Sequence, residues 1–450
     1  MTDAMPSKRH VSEPQTPRRD ACDRDRVGPG ISRSSQNVGR LPGSRGILSV
    51  TRAFPGSGVQ SGILRDPLAL MLVLVSAALL LTLTACSRIS QPEGGSGGVV
   101  VGDTLYIGTS GGEVIALSIG SEEGQTIPGE TLWRFSPIDE ENGQAFYGTP
   151  AVSGDTLYLG GYNGVLYSLS LETGSGGDVM WQEPLGSPIV GGPVIAGDML
   201  LIGSSDGNLF AFDVTDSSEV SEVWRFTTGG KIWSTPAVGD EVVYFGSLDH
   251  YLYAVSLTDG REIWRFETGG AITSTPVVAR GHVFVGSFDG VFYSVDIETG
   301  QSSWQFEGAD NWYWGDPITY RDTIYAPSLD GNLYALAMDT GRQLWMLETE
   351  GVIVGAPAIT GDDLIAVPSS AGDKSKIQLA SLESGVLRGA CSIDADIMTP
   401  LVEHNGFIYF GAQDSTIRAL HIKSNGNPDE EWVHFTDQEE PSEVDRTPAC

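Results

Sequence analysis

Histidine and cysteine are scarce in this 450-residue chain, six of one and four of the other. No His lies at metal-ligand spacing from another His or from a Cys, which removes the zinc sites that spacing usually announces. His250 and His282 fall at hairpin-turn positions, and His404, His421 and His434 are scattered through the last repeat. No two Cys are adjacent and no Cys-x-x-Cys-His occurs, so a haem-attachment site is excluded. A nucleophile elbow needs a strand feeding a helix, and no helical pattern follows any strand. A phosphate-binding loop is also missing. Positive charge is short: 26 Lys and Arg face 58 Asp and Glu. The shortage is uneven, since residues 1–66 carry 11 basic and 6 acidic side chains and the remainder 15 and 52. Such a field repels nucleic acid and anionic lipid. Solubility or a saline habitat accounts for it, and so does attraction of a basic partner or of divalent cations.

What the chain has in abundance is one text repeated. Ser234 to Trp264 reads as short apolar runs cut by Gly239-Asp240, Asp249-His250 and Asp259-Gly260, which describes four strands and three tight turns. A Pro opening the first strand returns at Pro150, Pro193, Pro236, Pro276, Pro317, Pro357 and Pro400. That step of about 40 residues is the period of a four-stranded propeller blade. A large residue before x-Gly marks the second strand at Tyr106, Tyr158, Leu201, Tyr244, Phe284 and Tyr409, with Tyr325 and Ile365 in degenerate copies. The turn that follows reads Asn163-Gly164, Asp206-Gly207, Asp289-Gly290 and Asp330-Gly331. Eight such units predict an all-β, eight-bladed propeller of four-stranded antiparallel blades.

A Trp opens the last strand of seven units: Trp133, Trp181, Trp224, Trp264, Trp304, Trp345 and Trp432. Large aromatics at a fixed repeat phase cement neighbouring repeats, so these are read as structural docking residues. Unit seven has Gly389 instead, which predicts a looser blade. The run Ser294-x-Asp296-x-x-Thr299-Gly300-x-x-x-Trp304, repeated from Ala335 through Thr340-Gly341 to Trp345, resembles the tryptophan-docking motif of PQQ-type propeller repeats. The resemblance covers about Val99 to Trp432. It implies a family that holds both quinoprotein dehydrogenases and cofactor-free propellers such as the BamB-like lipoproteins of outer-membrane assembly. A dehydrogenase of that kind implies PQQ over the central axis, a ring of adjacent Cys, Ca²⁺ held by Glu, Asn and Asp, and an Asp base. The missing Cys pair, and Asp and Asn residues that turns account for, argue against it. No catalytic, cofactor-binding or metal-ligating residue is nominated, and PQQ with Ca²⁺ stands as the alternative.

Residues 1–66, rich in Pro, Arg, Ser and Gly, have no apolar periodicity and are expected not to fold, or to precede a later true start. Residues 67–86 hold an uncharged run, Leu68 to Ala85, ending Leu83-Thr84-Ala85-Cys86, which resembles a bacterial lipobox with Cys86 as the lipidated residue. Kept uncleaved, the same run is just long enough for a signal anchor. Either way the propeller lies outside the cytoplasmic membrane. Residues 87–98 form a Gly-rich linker, and 99–450 the propeller with an acidic tail. Cys391 and Cys450 have no assigned partner; a bridge between them is open, with Cys391 favoured as a small buried residue.

Three residues before each blade-opening Pro stand Tyr147, Val190, Trp233, Thr273, Trp314, Val354 and Ile397, in segments expected at one rim of the central channel. Unit six adds Asp310-Asn311-Trp312-Tyr313-Trp314-Gly315-Asp316. Tyr147, Trp233, Trp312, Tyr313, Trp314 and Asp316 are therefore the candidate binding surface, with a channel plug or inter-blade packing as the competing role. The partners expected are proteins of the cell envelope and a membrane reached through an anchor, with no nucleic acid. A surface sensor capturing peptide or carbohydrate is a further possibility. Arg446-Thr447-Pro448-Ala449-Cys450 resembles the start of a unit and is expected beside unit one's inner strand, closing the ring, unless the tail is an acidic extension.

Overall fold

The computed structural model describes residues 95–436, apart from 110, 121–127, 138–144, 173–175, 362, 373 and 424–425, together with Cys450. Among the described residues there are eight four-stranded antiparallel sheets and no helix. Blade one is β1 (Gly98–Val101), β2 (Thr104–Gly108), β3 (Val114–Ser118) and β4 (Thr131–Phe135). Blades two to eight follow over 151–184, 194–227, 237–267, 277–306, 318–348, 358–393 and 402–435. Every blade uses four consecutive strands, as the turn signals require. The apolar run of 67–86 and Cys86 lie outside the described residues.

Burial explains the composition of each strand. The two middle strands of a blade have neighbouring blades on both faces, so Tyr251–Ser256 and its counterparts are buried almost throughout. Outer strands keep one face in water, and Glu262–Glu267 alternates accordingly. The core is eight apolar clusters, each shared by two adjacent blades. Tyr106, Leu157 and Tyr167 join blades one and two. Leu105, Ile115, Tyr409 and Trp432 join blades eight and one. Closure is thus made by side chains.

The turns separate into two kinds. At the first turn of blades four, five and eight both central residues have positive φ: Asp240 and Glu241, Arg280 and Gly281, Asn405 and Gly406. These are tight two-residue hairpins whose twist matches the strands. The Asp-Gly turn is longer than its sequence suggests. In blade three the Ser204 N–H donates to Asn208 O and Gly207 N–H back to Ser204 O, so three residues form the loop and Gly207, at φ +86°, carries the left-handed step.

The docking Trp side chains pack under the last turn of the next blade. Trp224, Trp264, Trp304 and Trp345 donate their Nε1–H to Leu257, Ile297, Met338 and Leu382 carbonyls at 2.8–3.0 Å. Each lies opposite a small residue: Ala211, Ala254, Ser294 and Ala335. Trp181 is the exception, because blade three's turn has no Gly there, and its Nε1 finds no partner among the described residues. In blade seven Leu379 faces Gly389, and the Gly426 turn of blade eight moves into the space a Trp would take. The gap expected there is filled, since Ile377, Leu379, Cys391, Ile393, Ile408 and Phe410 form one continuous cluster.

Several expectations need correction. The second-strand marker of blade seven is Ala366, paired with Ala358, and Ile365 is one residue out of phase. Pro400 is also out of phase: Thr399 makes the bonds to Gly411 that Ser234 makes to Gly246 and stands at the same distance from its first strand, so the Pro of blade eight comes one residue early. Met398, not Ile397, therefore holds the rim position, and Ile397 is buried. Cys391 is buried and also disulfide-bonded to Cys450, 59 residues away. Cys450 is accordingly held at the outer strand of blade seven (Leu387–Ile393), whereas β1 is paired from its own local chain. Residues 437–449 lie outside the described residues.

Candidate binding surface

The segment leading into each blade is extended, so its side chains alternate in and out. The inward position holds Phe146, Ile189, Ile232, Ile272, Tyr313, Ile353 and Ile397, all buried. The next position faces the rim: Tyr147, Val190, Trp233, Thr273, Trp314, Val354 and Met398. Tyr313 is consequently a core residue, 1% exposed, stacked edge-on against Phe292 at 5.3 Å. Its assignment to the binding surface was incompatible with this alternation. Its hydroxyl has no hydrogen-bond partner among the described residues, and burial holds the phenol well above its ordinary pKa.

Trp312 and Trp314, one step either side of Tyr313, both turn outward, 47% and 36% exposed. Trp312 stacks on Phe288, centroids 4.7 Å apart and rings nearly parallel. Trp314 stacks on the same Phe288 at 5.4 Å and reaches Trp233 at 6.5 Å. Trp233 is fixed by its Nε1–H, which donates to Ser205 Oγ at 3.0 Å, and the Lys231 ammonium stands over its ring at 5.3 Å. These four aromatics form one shelf across blades four, five and six. Trp233 and Trp314, two blades apart, meet only because both project toward the axis. Tyr147 is not part of the shelf; it packs against Tyr162 of its own blade at 5.4 Å.

The second turn of each of blades four, five and six carries a carboxylate beside the lead-in. Asp249 Oδ2 accepts from Tyr253 Oη and Gly229 N–H at 2.8 and 2.7 Å. Asp289 does the same with Tyr293 and Gly269 at 2.6 and 2.7 Å, and Asp330 with Tyr334 and the Asp310 N–H at 2.7 and 3.0 Å. These bonds fasten each lead-in to its own blade. Burial, then the adjacent carboxylate, pushes the three phenols well above their ordinary range. Asp316 is half-buried and accepts the Thr275 N–H at 2.6 Å, with burial raising its carboxyl and that bond opposing the rise. It ties blade six to blade five. Its role as an exposed binding residue is replaced by that link.

Phe288 and Lys231 were missed from the sequence. Phe288 fills a slot held by Ser205, Leu248 and Leu329 in blades three, four and six, and that local change was the available signal.

The group that the resemblance implies, PQQ with Ca²⁺, does not fit these side chains. Among the described residues no three His, Cys, Asp or Glu are grouped to hold a metal ion. None of the seven rim side chains is a carboxylate, the turn carboxylates Asp249, Asp289 and Asp330 belong to separate blades and are each held by a Tyr hydroxyl and a backbone N–H, and Asp316 is committed to Thr275. A depression at the seam of blades eight and one, lined by Thr109, Met398, Gln413, Ser415, Thr416 and Thr436, presents hydroxyls, an amide and a thioether. Its described lining holds no carboxylate either.

No curated protein matches the chain. Among solved structures, BamB from Moraxella catarrhalis superposes with a TM-score of 0.58 at 19% identity, covering 77% of this chain and 95% of that one. The computationally designed Ika8 protein gives 0.62 at 16% identity over 74% and 97%. A quinohemoprotein alcohol dehydrogenase from Pseudomonas putida gives 0.59 at 16% over 73% and 70%. At these identities the likenesses establish the fold. The family described as outer membrane protein assembly factor BamB matches residues 93–221 and 219–427, in keeping with the eight four-stranded blades, seven of which carry the docking Trp, and the chain belongs to that family.

Proposed function

We propose that the protein is a non-catalytic scaffold of the cell envelope, tethered outside the cytoplasmic membrane through Cys86 or the apolar run before it, and that it binds other envelope proteins on its aromatic shelf. A diacylated Cys86 would supply two chains, enough for stable anchoring. The observation that carries the reading is the shelf itself. Trp312 and Trp314 keep large aromatic surface in water, and exposed Trp at a channel rim are strong anchors for a partner. Family membership favours assembly of membrane proteins as the setting. Against the dehydrogenase reading, no three metal-ligating side chains are grouped among the described residues.

A genetic experiment tests it. Cells lacking the protein should lose integral envelope proteins in quantitative proteomics. Wild-type protein should restore them, and the Trp312→Ala/Trp314→Ala variant, expressed to the same level, should not. An unchanged envelope proteome would sink the scaffold reading.

A further inference from the structure

The shelf carries its own indication of what it takes. Of the four aromatic faces on it, one already has a cation over it: the Lys231 ammonium stands 5.3 Å from the Trp233 ring centroid. Electron-rich indole faces attract cations, and Trp does so best. Trp312 and Trp314 present further indole surface in the same array, with Phe288 between them. The carboxylates Asp249, Asp289 and Asp330 all stand in the turns beside the lead-ins, and Asp310 lies exposed two residues before Trp312. Their hydrogen bonds hold them in place and leave their charge. Against them Lys231 is the basic residue contributed by the lead-ins of blades four to six.

We propose that the shelf binds an extended cationic peptide segment of a partner protein, whose Arg or Lys side chains stack on Trp312, Trp314 and Trp233, and that Lys231 is a resident placeholder which swings away when the segment arrives. This rests on the scaffold reading for its biological setting, but its chemistry is tested independently. An anionic peptide would meet Asp310 and the turn carboxylates, and a neutral sugar would have no use for them. Charge complementarity selects the cationic segment. The field of the whole chain, 52 acidic against 15 basic residues beyond position 66, steers the same partner toward this face.

The test uses the full chain in non-ionic detergent and three fluorescent probes read by anisotropy: an acetylated, amidated pentapeptide alternating arginine and threonine, its glutamate counterpart, and a linear glucose hexasaccharide. The arginine peptide should bind, weaken at least fivefold between 50 and 500 mM salt, and lose at least tenfold in Trp312→Ala/Trp314→Ala. Lys231→Ala should tighten it severalfold, because the placeholder and its repulsion are both removed. Thermal melts of each variant accompany the titrations, and Val223→Ala, on an exposed outer-strand position far from the shelf, serves as the control that leaves binding unchanged. Equal binding of both peptides, binding of the hexasaccharide alone, or weaker arginine-peptide binding in Lys231→Ala would overturn the proposal. Peptide binding that survives while the envelope proteome is indifferent to the protein would keep the shelf's chemistry and remove the scaffold role.

Discussion

Trp264, on the outer strand of blade four, lies with its indole under Gly300 of blade five, and its Nε1–H donates to the Ile297 carbonyl at 2.8 Å. A Cβ on Gly300 would stand 2.8 Å from Trp264 Cγ, and the glycine is already at φ +66°. Both facts forbid a side chain. Gly300→Ala should therefore cost about 2–3 kcal/mol, from left-handed strain and a displaced indole together. Trp264→Ala should cost about 3 kcal/mol, the low end for a large aromatic. Val223→Ala, on an exposed outer-strand face, should stay within about 0.5 kcal/mol. Denaturant midpoints of the three variants check this.

The seam between blades eight and one depends on a neutral histidine. His434 is buried; its Nδ1 meets Gly129 O at 3.0 Å, and Nε2 faces Arg134 Nη2 at 3.3 Å and Thr131 Oγ1 at 3.5 Å. Arg134 is itself paired with Glu113 at 3.1 Å and bonded to Thr436 O. Burial first, and the Arg134 charge second, lower His434 to about 4. A depressed folded pKa means that the unfolded chain binds the proton first. The contribution is complete above about pH 6.5, falls as pH drops, and is gone below about 4. It amounts to about 3 kcal/mol in all. Denaturation from pH 7 to 4.5 should show this slope in wild type and a smaller one in His434→Gln. An imidazole titrating near 6.5 by NMR would contradict the neutral seam.

Blade seven relies on a covalent substitute for its docking pair. Where blades one, three, four and five read Trp-x-Phe, blade seven reads Gly389-x-Cys391, and Cys391 is bridged to Cys450. Cross-linking across 59 residues is expected to contribute about 2–4 kcal/mol. Cys450→Ser and reduction of wild type should lower the midpoint equally, and reduction of the variant should add nothing. An unaltered midpoint on reduction would show that the bridge contributes no stability.

The turn carboxylates make a further prediction. Asp289 accepts from Tyr293 Oη, Gly269 N–H and Val291 N–H, and Asn in its place would aim an amide N–H₂ at one of these donors. Asp289→Asn should cost about 1–3 kcal/mol, and Tyr293→Phe about 1 kcal/mol. The double variant should fall short of their sum, because both remove the same bond. Full additivity in the denaturation cycle would show that Tyr293 and Asp289 are not coupled.

Most of this architecture was legible because the repeat writes its phase twice, at the Pro before the first strand and the Trp in the last. Where both marks hold, as in blades four and five, strand, turn and docking residue all followed. Blade eight misled because its Pro400 stands one residue early in a lead-in of ordinary length. Tyr313 misled for a related reason: within Trp-Tyr-Trp, composition suggests one exposed cluster, while an extended backbone turns the middle residue inward. The meeting of Trp233 with Trp314 had no local signature, since it depends on curvature accumulated over two blades. The partner of Cys391 was equally a matter of three-dimensional proximity.

The cofactor question has a direct outcome. The full chain incubated with PQQ and Ca²⁺ should show no dye-linked oxidation of alcohols or sugars and no rise in melting temperature. A saturable stabilisation by PQQ would contradict the mismatch between that cofactor and the rim residues.

The most direct test of the account is a photo-crosslinking amino acid placed at position 312 of the protein in living cells, compared with the same probe at position 223. The account predicts discrete adducts with envelope proteins from 312, lost when Trp314 and Trp233 are also replaced by Ala, and none from 223. Identical adducts from both positions, or none from 312, would contradict a working face built on the aromatic shelf.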